Sequence, residues 1–200
     1  MITCFDIANY FLWFSNSKNQ AIDSLKLQKL TFFAQSWHLA LYKEPLFEED
    51  FQAWRYGPVI PAMYSQYSRF GKKPIQLTVT KPALDPTVEN FLNFICEEFL
   101  LKHSPILSGI THKKDSPWSQ IRQEEGCSSQ DNCTAIIPKS LLQEYYSELI
   151  NDDELNEDYP LLEEFLDLLD KSIEKDFSNC LLYTSEMLAK DKELLASILG

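Results

Sequence analysis

His112 and Asp115 stand three residues apart in Thr111-His112-Lys113-Lys114-Asp115-Ser116-Pro117-Trp118, close enough to share a metal ion or a proton. That pair would suit a small hydrolase. A third ligand of obvious spacing is missing, and His103 lies in a different element. Capping and local hydrogen bonding by Thr111, His112 and Asp115 is therefore the competing reading. His38 sits beside Trp37 on an aromatic helix, which favours a hydrogen-bonded structural histidine over a general base. There is no G-x-S-x-G, no H-E-x-x-H and no cysteine with an obvious histidine partner, so no nucleophile can be named. No catalytic, cofactor-binding or metal-binding residue is assigned, and no cofactor is expected. The remaining constellation is Trp54-Arg55-Tyr56-Gly57-Pro58. Arg55 between two aromatics suits a stacked or bidentate guanidinium. Such a group serves either a recognition surface rich in Trp, Tyr and Arg or an internal ion pair, for example with Asp50 or Asp115, that locks the turn.

Charge narrows the classes. The net charge of −12 is not spread evenly: residues 1–142 hold 14 acidic and 14 basic side chains, whereas residues 143–200 hold 16 acidic and 4 basic ones. Nucleic-acid binding is disfavoured, because phosphate contacts need clustered Lys and Arg. The acidic end reads as a solvated helical face or a docking surface for a basic partner. With 5 glycines and neither phosphate-binding glycine motif, a nucleotide loop is not expected. No apolar run approaches the roughly 20 residues that span a bilayer, and the first residues lack a signal peptide's basic start and apolar stretch. The five cysteines are odd in number and include no C-x-x-C pair, which fits reduced structural thiols. A cytoplasmic protein is expected.

These residues need elements to position them. Apolar spacing predicts helices over about 5–15 and 25–42, the second capped by Asp23 or Ser24. Residues 51–56 alternate and read as a short strand or extended segment, followed by the rigid Gly57-Pro58-Val59-Ile60-Pro61. A helix from Pro61 stops at Gly71. Ile75–Thr80 alternates and is β-branched, so a strand is expected there. Further helices are expected over about 86–102, from Ser104 to about Thr111, from Pro117, and over about 139–150; 124–134 is a loop. The fold class is mainly α: a compact multi-helix domain over 1–150 with a small two-stranded β element. An acidic helical extension over 151–200 follows, packed on the domain or on a partner.

Three stretches together resemble one family. Leu25-Lys26-Leu27-Gln28-Lys29-Leu30, continuing Phe33-Ala34-Gln35-Ser36-Trp37-His38, is similar to its long second helix. Glu44-Pro45-Leu46-Phe47, then Asp50-Phe51-Gln52-Ala53-Trp54-Arg55-Tyr56-Gly57-Pro58-Val59-Ile60-Pro61, resembles its most recognisable segment. Thr111-His112 with Ser116-Pro117-Trp118 resembles its later element. Order and spacing over about 1–148 are similar to those of the SocA-like, Panacea antitoxin-domain family. Two mild departures are Phe32, where Tyr is usual, and Ser36, where Gly is frequent. The resemblance implies a mostly helical antitoxin that binds a cognate toxin, with no established catalytic residues. It also implies that a ClpXP-type protease is a second partner where a member acts as an adaptor. A phage or mobile-element protein that blocks a host defence is the alternative.

Overall fold

The computed structural model describes residues 1–128 and 130–150. The expected helical extension over 151–200 lies outside the described residues. Seven helices and one small sheet make up the described part: α1 (Cys4–Ser17), α2 (Ser24–Tyr42), β1 (Phe51–Gln52), α3 (Pro61–Tyr67), α4 (Pro86–Phe99), α5 (Ser104–Thr111), α6 (Pro117–Glu124), β2 (Ile136–Ile137) and α7 (Lys139–Leu149). A 3-10 turn, Ser68–Phe70, follows α3. The fold is mainly α, as the spacing predicts.

Local chemistry sets the helix starts. Thr3 and Asp6 form a capping box at α1, so two otherwise orphaned N–H groups find acceptors. Asp23 accepts from the Lys26 N–H at 2.7 Å and caps α2. Proline stands in the first turn of α3, α4, α5 and α6, where its missing N–H costs nothing.

α2 is the central element. Fifteen of its nineteen residues are buried, so it is wrapped on all sides rather than on one stripe. α7, α1, α4, α5 and α3 pack against it. Phe33 stacks flat on Phe99 of α4, with centroids 4.4 Å apart, and Trp37 meets Tyr146 of α7 edge-on at 5.0 Å. Trp37 is fully buried, so it defines the core.

A helix buried all round must satisfy its polar side chains internally. Gln28, Lys29 and Gln35 of α2 do so by hydrogen bonding the irregular backbone between residues 46 and 60. Gln35 donates to the Phe47 carbonyl at 2.9 Å and accepts from the Leu46 N–H at 2.9 Å and the Phe47 N–H at 3.3 Å. Gln28 donates to the Ile60 carbonyl at 3.3 Å and accepts from its N–H at 3.0 Å. The two glutamines are seven residues apart, two helical turns, and staple both ends of one loop. Gln35→Leu orphans two buried N–H groups and a carbonyl. We expect a loss of about 3 kcal/mol in urea unfolding, against less than 1 kcal/mol for an exposed change such as Gln66→Leu.

Two expectations are corrected. The partner of β1 is not the 75–80 segment but β2, antiparallel, with Phe51 opposite Ile137 and Gln52 opposite Ile136. Residues 75–80 form no strand pairing. Arg55 makes no ion pair with Asp50 or Asp115 among the described residues: Asp50 takes Lys139, and Asp115 lies 3.8 Å from Lys114.

Candidate functional site

The segment from Gln52 to Val59 folds back on itself. The two end residues exchange backbone hydrogen bonds at 2.9 and 3.0 Å, and the Gly57 N–H donates to the Trp54 carbonyl at 3.0 Å to close a tight turn. Arg55 and Tyr56 therefore stand at the tip, Tyr56 at 64% exposure, with the Arg55 guanidinium 5.2 Å from the Tyr56 ring centre. Sequence reasoning left two roles open for Arg55; it stands at the surface rather than in an internal ion pair.

Behind the tip is a half-buried frame. The Trp54 ring meets Tyr64 of α3 at 4.9 Å and donates through Nε1 to Gln52 at 2.8 Å. Its carbonyl accepts from Nε1 of Trp118 at 2.7 Å. Trp118 carries His112 stacked on its ring at 3.8 Å and 15°, and the Arg122 guanidinium 5.0 Å from its centre. Arg122, itself buried, donates to the carbonyls of Ala53 at 2.8 Å and Asp131 at 3.0 Å, and to that of Ser128. Thus Arg122, which was not singled out from the sequence, plays the stacked guanidinium role considered for Arg55.

Lys29 of α2 lies beneath the turn. It is wholly buried, and its ammonium donates to the Pro58 carbonyl at 3.0 Å. Burial pulls its pKa down to about 7, because a charge loses hydration there. Gly57 sits on it with φ +99°, and a Cβ at that position would come within 2.3 Å of Lys29 Nζ and 2.8 Å of Thr111 Oγ1. Only glycine accepts both the torsion and the approach. Thr111 donates to the Ser108 carbonyl, and its own carbonyl accepts from Ser116, whose hydroxyl caps α6. The matched residues Lys29, Gly57, Pro58, Thr111, His112 and Trp118 thus form one contiguous block.

His112 and Asp115 do not form an acid–base pair. The His112 ring lies on Trp118 with Nε2 buried and without a hydrogen-bond partner among the described residues. Burial, then the charges of Lys29 and Arg122, lower its pKa to about 4. Asp115 is exposed, in a left-handed turn with φ 61°. His38 is a structural histidine: Nδ1 donates to the Glu44 carbonyl at 2.8 Å, and the ring lies against Tyr42 and Phe91. Among the described residues no cluster of His, Cys, Asp and Glu could hold a metal. Cys4, Cys96, Cys127 and Cys133 are free thiols, and burial pushes those of Cys4 and Cys96 well above the usual range. Among the described residues no helix is long and apolar enough to cross a membrane.

The tip, Trp54, Lys29, His112 and Trp118 fall within residues 27–119, which match the family model for the antitoxin SocA-like, Panacea domain, and Arg122 lies just beyond it. Over that stretch the chain is similar to that family. It is also 26% identical over 132 residues to Antitoxin SocA of Caulobacter vibrioides (strain NA1000 / CB15N), covering 60% of this chain and 70% of that one. No solved structure matches. The matched stretch holds most of α2, the tip, α3, α4, α5 and the opening of α6 in one continuous run. The residues that sequence reasoning passed over are Gln28, Lys29, Gln35 and Arg122. Their signal was polarity inside otherwise apolar helical faces.

Proposed function

We propose that this chain is an antitoxin that neutralises a cognate toxin by direct protein–protein binding, in the cytoplasm, through its Panacea domain over residues 1–150. The observation that carries the reading is the Arg55–Tyr56 tip. It is exposed, aromatic and cationic, yet mounted on a frame in which the Ala53, Trp54 and Pro58 carbonyls accept from Arg122, Trp118 and Lys29. Recognition surfaces concentrate energy in Trp, Tyr and Arg, and pre-organisation limits the entropy lost on binding. Trp54 and Trp118 support the tip, and His112 holds Trp118; none of them has a chemical step to perform in this reading. The acidic charge of residues 151–200 would draw in a basic toxin at rates that fall with salt. Delivery of the toxin to a ClpXP-type protease is the further step this family resemblance suggests.

The test is co-expression with the product of the adjacent gene. That product should arrest growth alone, be harmless with this chain, and co-purify with it. A product that is harmless alone and does not co-purify would reject the reading. Toxin half-life separates masking from delivery, since masking alone need not shorten it. Arg55→Ala with Tyr56→Ala should weaken toxin binding roughly 30-fold or more, the loss of a binding hot spot. Stability should change by less than about 0.5 kcal/mol, because both side chains are at the surface. Titration calorimetry and urea unfolding measure the two effects.

A further inference from the structure

The segment Ile75–Thr80 alternates strictly: Ile75 is buried, Leu77 and Val79 are half-buried, and Gln76, Thr78 and Thr80 are exposed. A period of two means an extended chain with one side on the core. In such a chain the N–H and C=O groups of alternate residues point to the same edge. The inner edge is occupied: the Ile75 N–H donates to the Ile22 carbonyl at 2.8 Å, and the Leu77 carbonyl accepts from Asn16 at 3.1 Å. The outer edge belongs to Gln76, Thr78 and Thr80. None of their backbone groups makes a hydrogen bond among the described residues. The segment is nonetheless held in place. Beyond Thr80, Lys81 pairs with Glu89 at 2.6 Å and lies 5.1 Å from the Trp13 ring centre. Pro74 and Pro82 bracket it and limit any pairing to the residues between them. Beside it, between Asn16, Ile22, Leu77 and Thr78, lies a cleft of about 420 Å³.

We propose that this edge is a docking strand, on which a partner protein adds an antiparallel or parallel β-strand. β-Addition takes its affinity from main-chain hydrogen bonds and its specificity from alternate side chains. Charge selects the partner. Lys72 and Lys73 stand exposed just before the segment, with no ion pair among the described residues. The incoming strand therefore carries acidic side chains at that end. A second copy of this chain fits badly, because a symmetric antiparallel pair would bring Lys72 and Lys73 of one copy toward Lys81 of the other. The partner is the toxin, and for that identity the inference rests on the function proposed above. The strand edge is a contact separate from the Arg55–Tyr56 tip.

Thr78→Pro removes one outward N–H and leaves the Ile75 and Leu77 anchors untouched. With the purified product of the adjacent gene, the full chain should bind, and the amides of Gln76, Thr78 and Thr80 should gain at least roughly tenfold protection from hydrogen exchange. Thr78→Pro should keep its melting temperature and lose at least roughly tenfold in affinity, the worth of a lost interfacial hydrogen bond. The exchange measurement uses the unaltered chain and so stands if the variant misfolds. Binding without protection at those three amides overturns the docking strand and leaves the toxin reading intact. If the gene product does not bind, the toxin reading falls. The strand is then judged with a synthetic peptide of alternating Val and Thr carrying two terminal glutamates. Protection of the same amides by that peptide upholds it, and no protection overturns it. A concentration-dependent dimer that Thr78→Pro abolishes would also overturn it, in favour of self-pairing.

Discussion

Gly57→Ala is expected to destabilise the chain by about 3 kcal/mol or more, lowering its melting temperature by roughly 10 °C. Two costs combine. At φ +99° an L-residue is strained whatever the space around it. The added methyl would also come within 2.3 Å of Lys29 Nζ, 2.9 Å of Lys29 Cε and 2.8 Å of Thr111 Oγ1. A lysine tip is usually flexible enough to step aside. Lys29 is not, because it is wholly buried and bonded to the Pro58 carbonyl, so relief would require opening the turn that carries Arg55 and Tyr56. A double-mutant cycle separates the two costs. Lys29→Leu beside Gly57→Ala removes the clash and leaves the torsional strain, so the pair should cost clearly less than the sum of the singles. Full additivity in urea unfolding would mean that the clash is absent and torsion alone is responsible. Gly71, with open space around the same position, is the control, since Gly71→Ala carries only the torsional part.

The contrast between those glycines shows what could be read from the residues alone. All seven helices were legible, because apolar spacing of three and four residues and prolines at the starts are local signals. The Asp23 cap and the stop at Gly71 were legible for the same reason. Sheet pairing was not. β1 and β2 have two residues each, too few to set a period, and their partnership joins positions far apart in the chain. The alternation over 75–80 correctly marked an extended chain, but a pairing partner is a property of neighbours rather than of pattern. The site was half legible. Its aromatic and glycine residues are conspicuous as types. Which guanidinium stacks on Trp118 depends on how α6 lies against the 52–59 turn, and Arg122 has no local mark beyond being a cation on a short helix. The pairing of His112 with Asp115 failed because three residues across a helix end and a left-handed turn do not bring two side chains face to face. Lys29 was hidden by its surroundings: a lysine within a helical run reads as a solvent-facing residue until the helix proves to be wrapped on every side.

That buried lysine makes stability rise with pH across neutrality, in a direction fixed by its shift. In the folded chain its pKa is about 7, against 10.5 for an ordinary lysine. Above pH 7 the folded state releases the proton while the unfolded chain keeps it, so unfolding takes up a proton and stability climbs toward pH 10.5. Below pH 7 both states are protonated and burial of the charge costs its full amount, about 5 kcal/mol at 1.36 kcal/mol per pH unit. Between pH 7 and 8.5 the parent chain should gain about 2 kcal/mol in urea unfolding. Stopping at 8.5 keeps the raised thiols of Cys4 and Cys96 out of the window, since they act in the opposite sense only as free thiols ionise. His112 acts lower: its folded pKa of about 4 gives stability that is full above pH 6.5 and lost as pH falls toward 4. Lys29→Met should abolish the rise between pH 7 and 8.5 and narrow the lower window without removing it, because burial and Arg122 still hold His112 down. At pH 6 the variant should be more stable than the parent by about 2 kcal/mol, because the burial cost removed exceeds the single hydrogen bond lost. A Lys29→Met chain that keeps the rise would show that another group titrates there. The same variant separates stability from function. Without its bond to Pro58, the turn under Arg55 and Tyr56 loses an anchor, so affinity for the proposed toxin should fall even as the fold grows more stable. That opposite movement of stability and affinity would mark Lys29 as a residue that serves the tip it shapes rather than the fold.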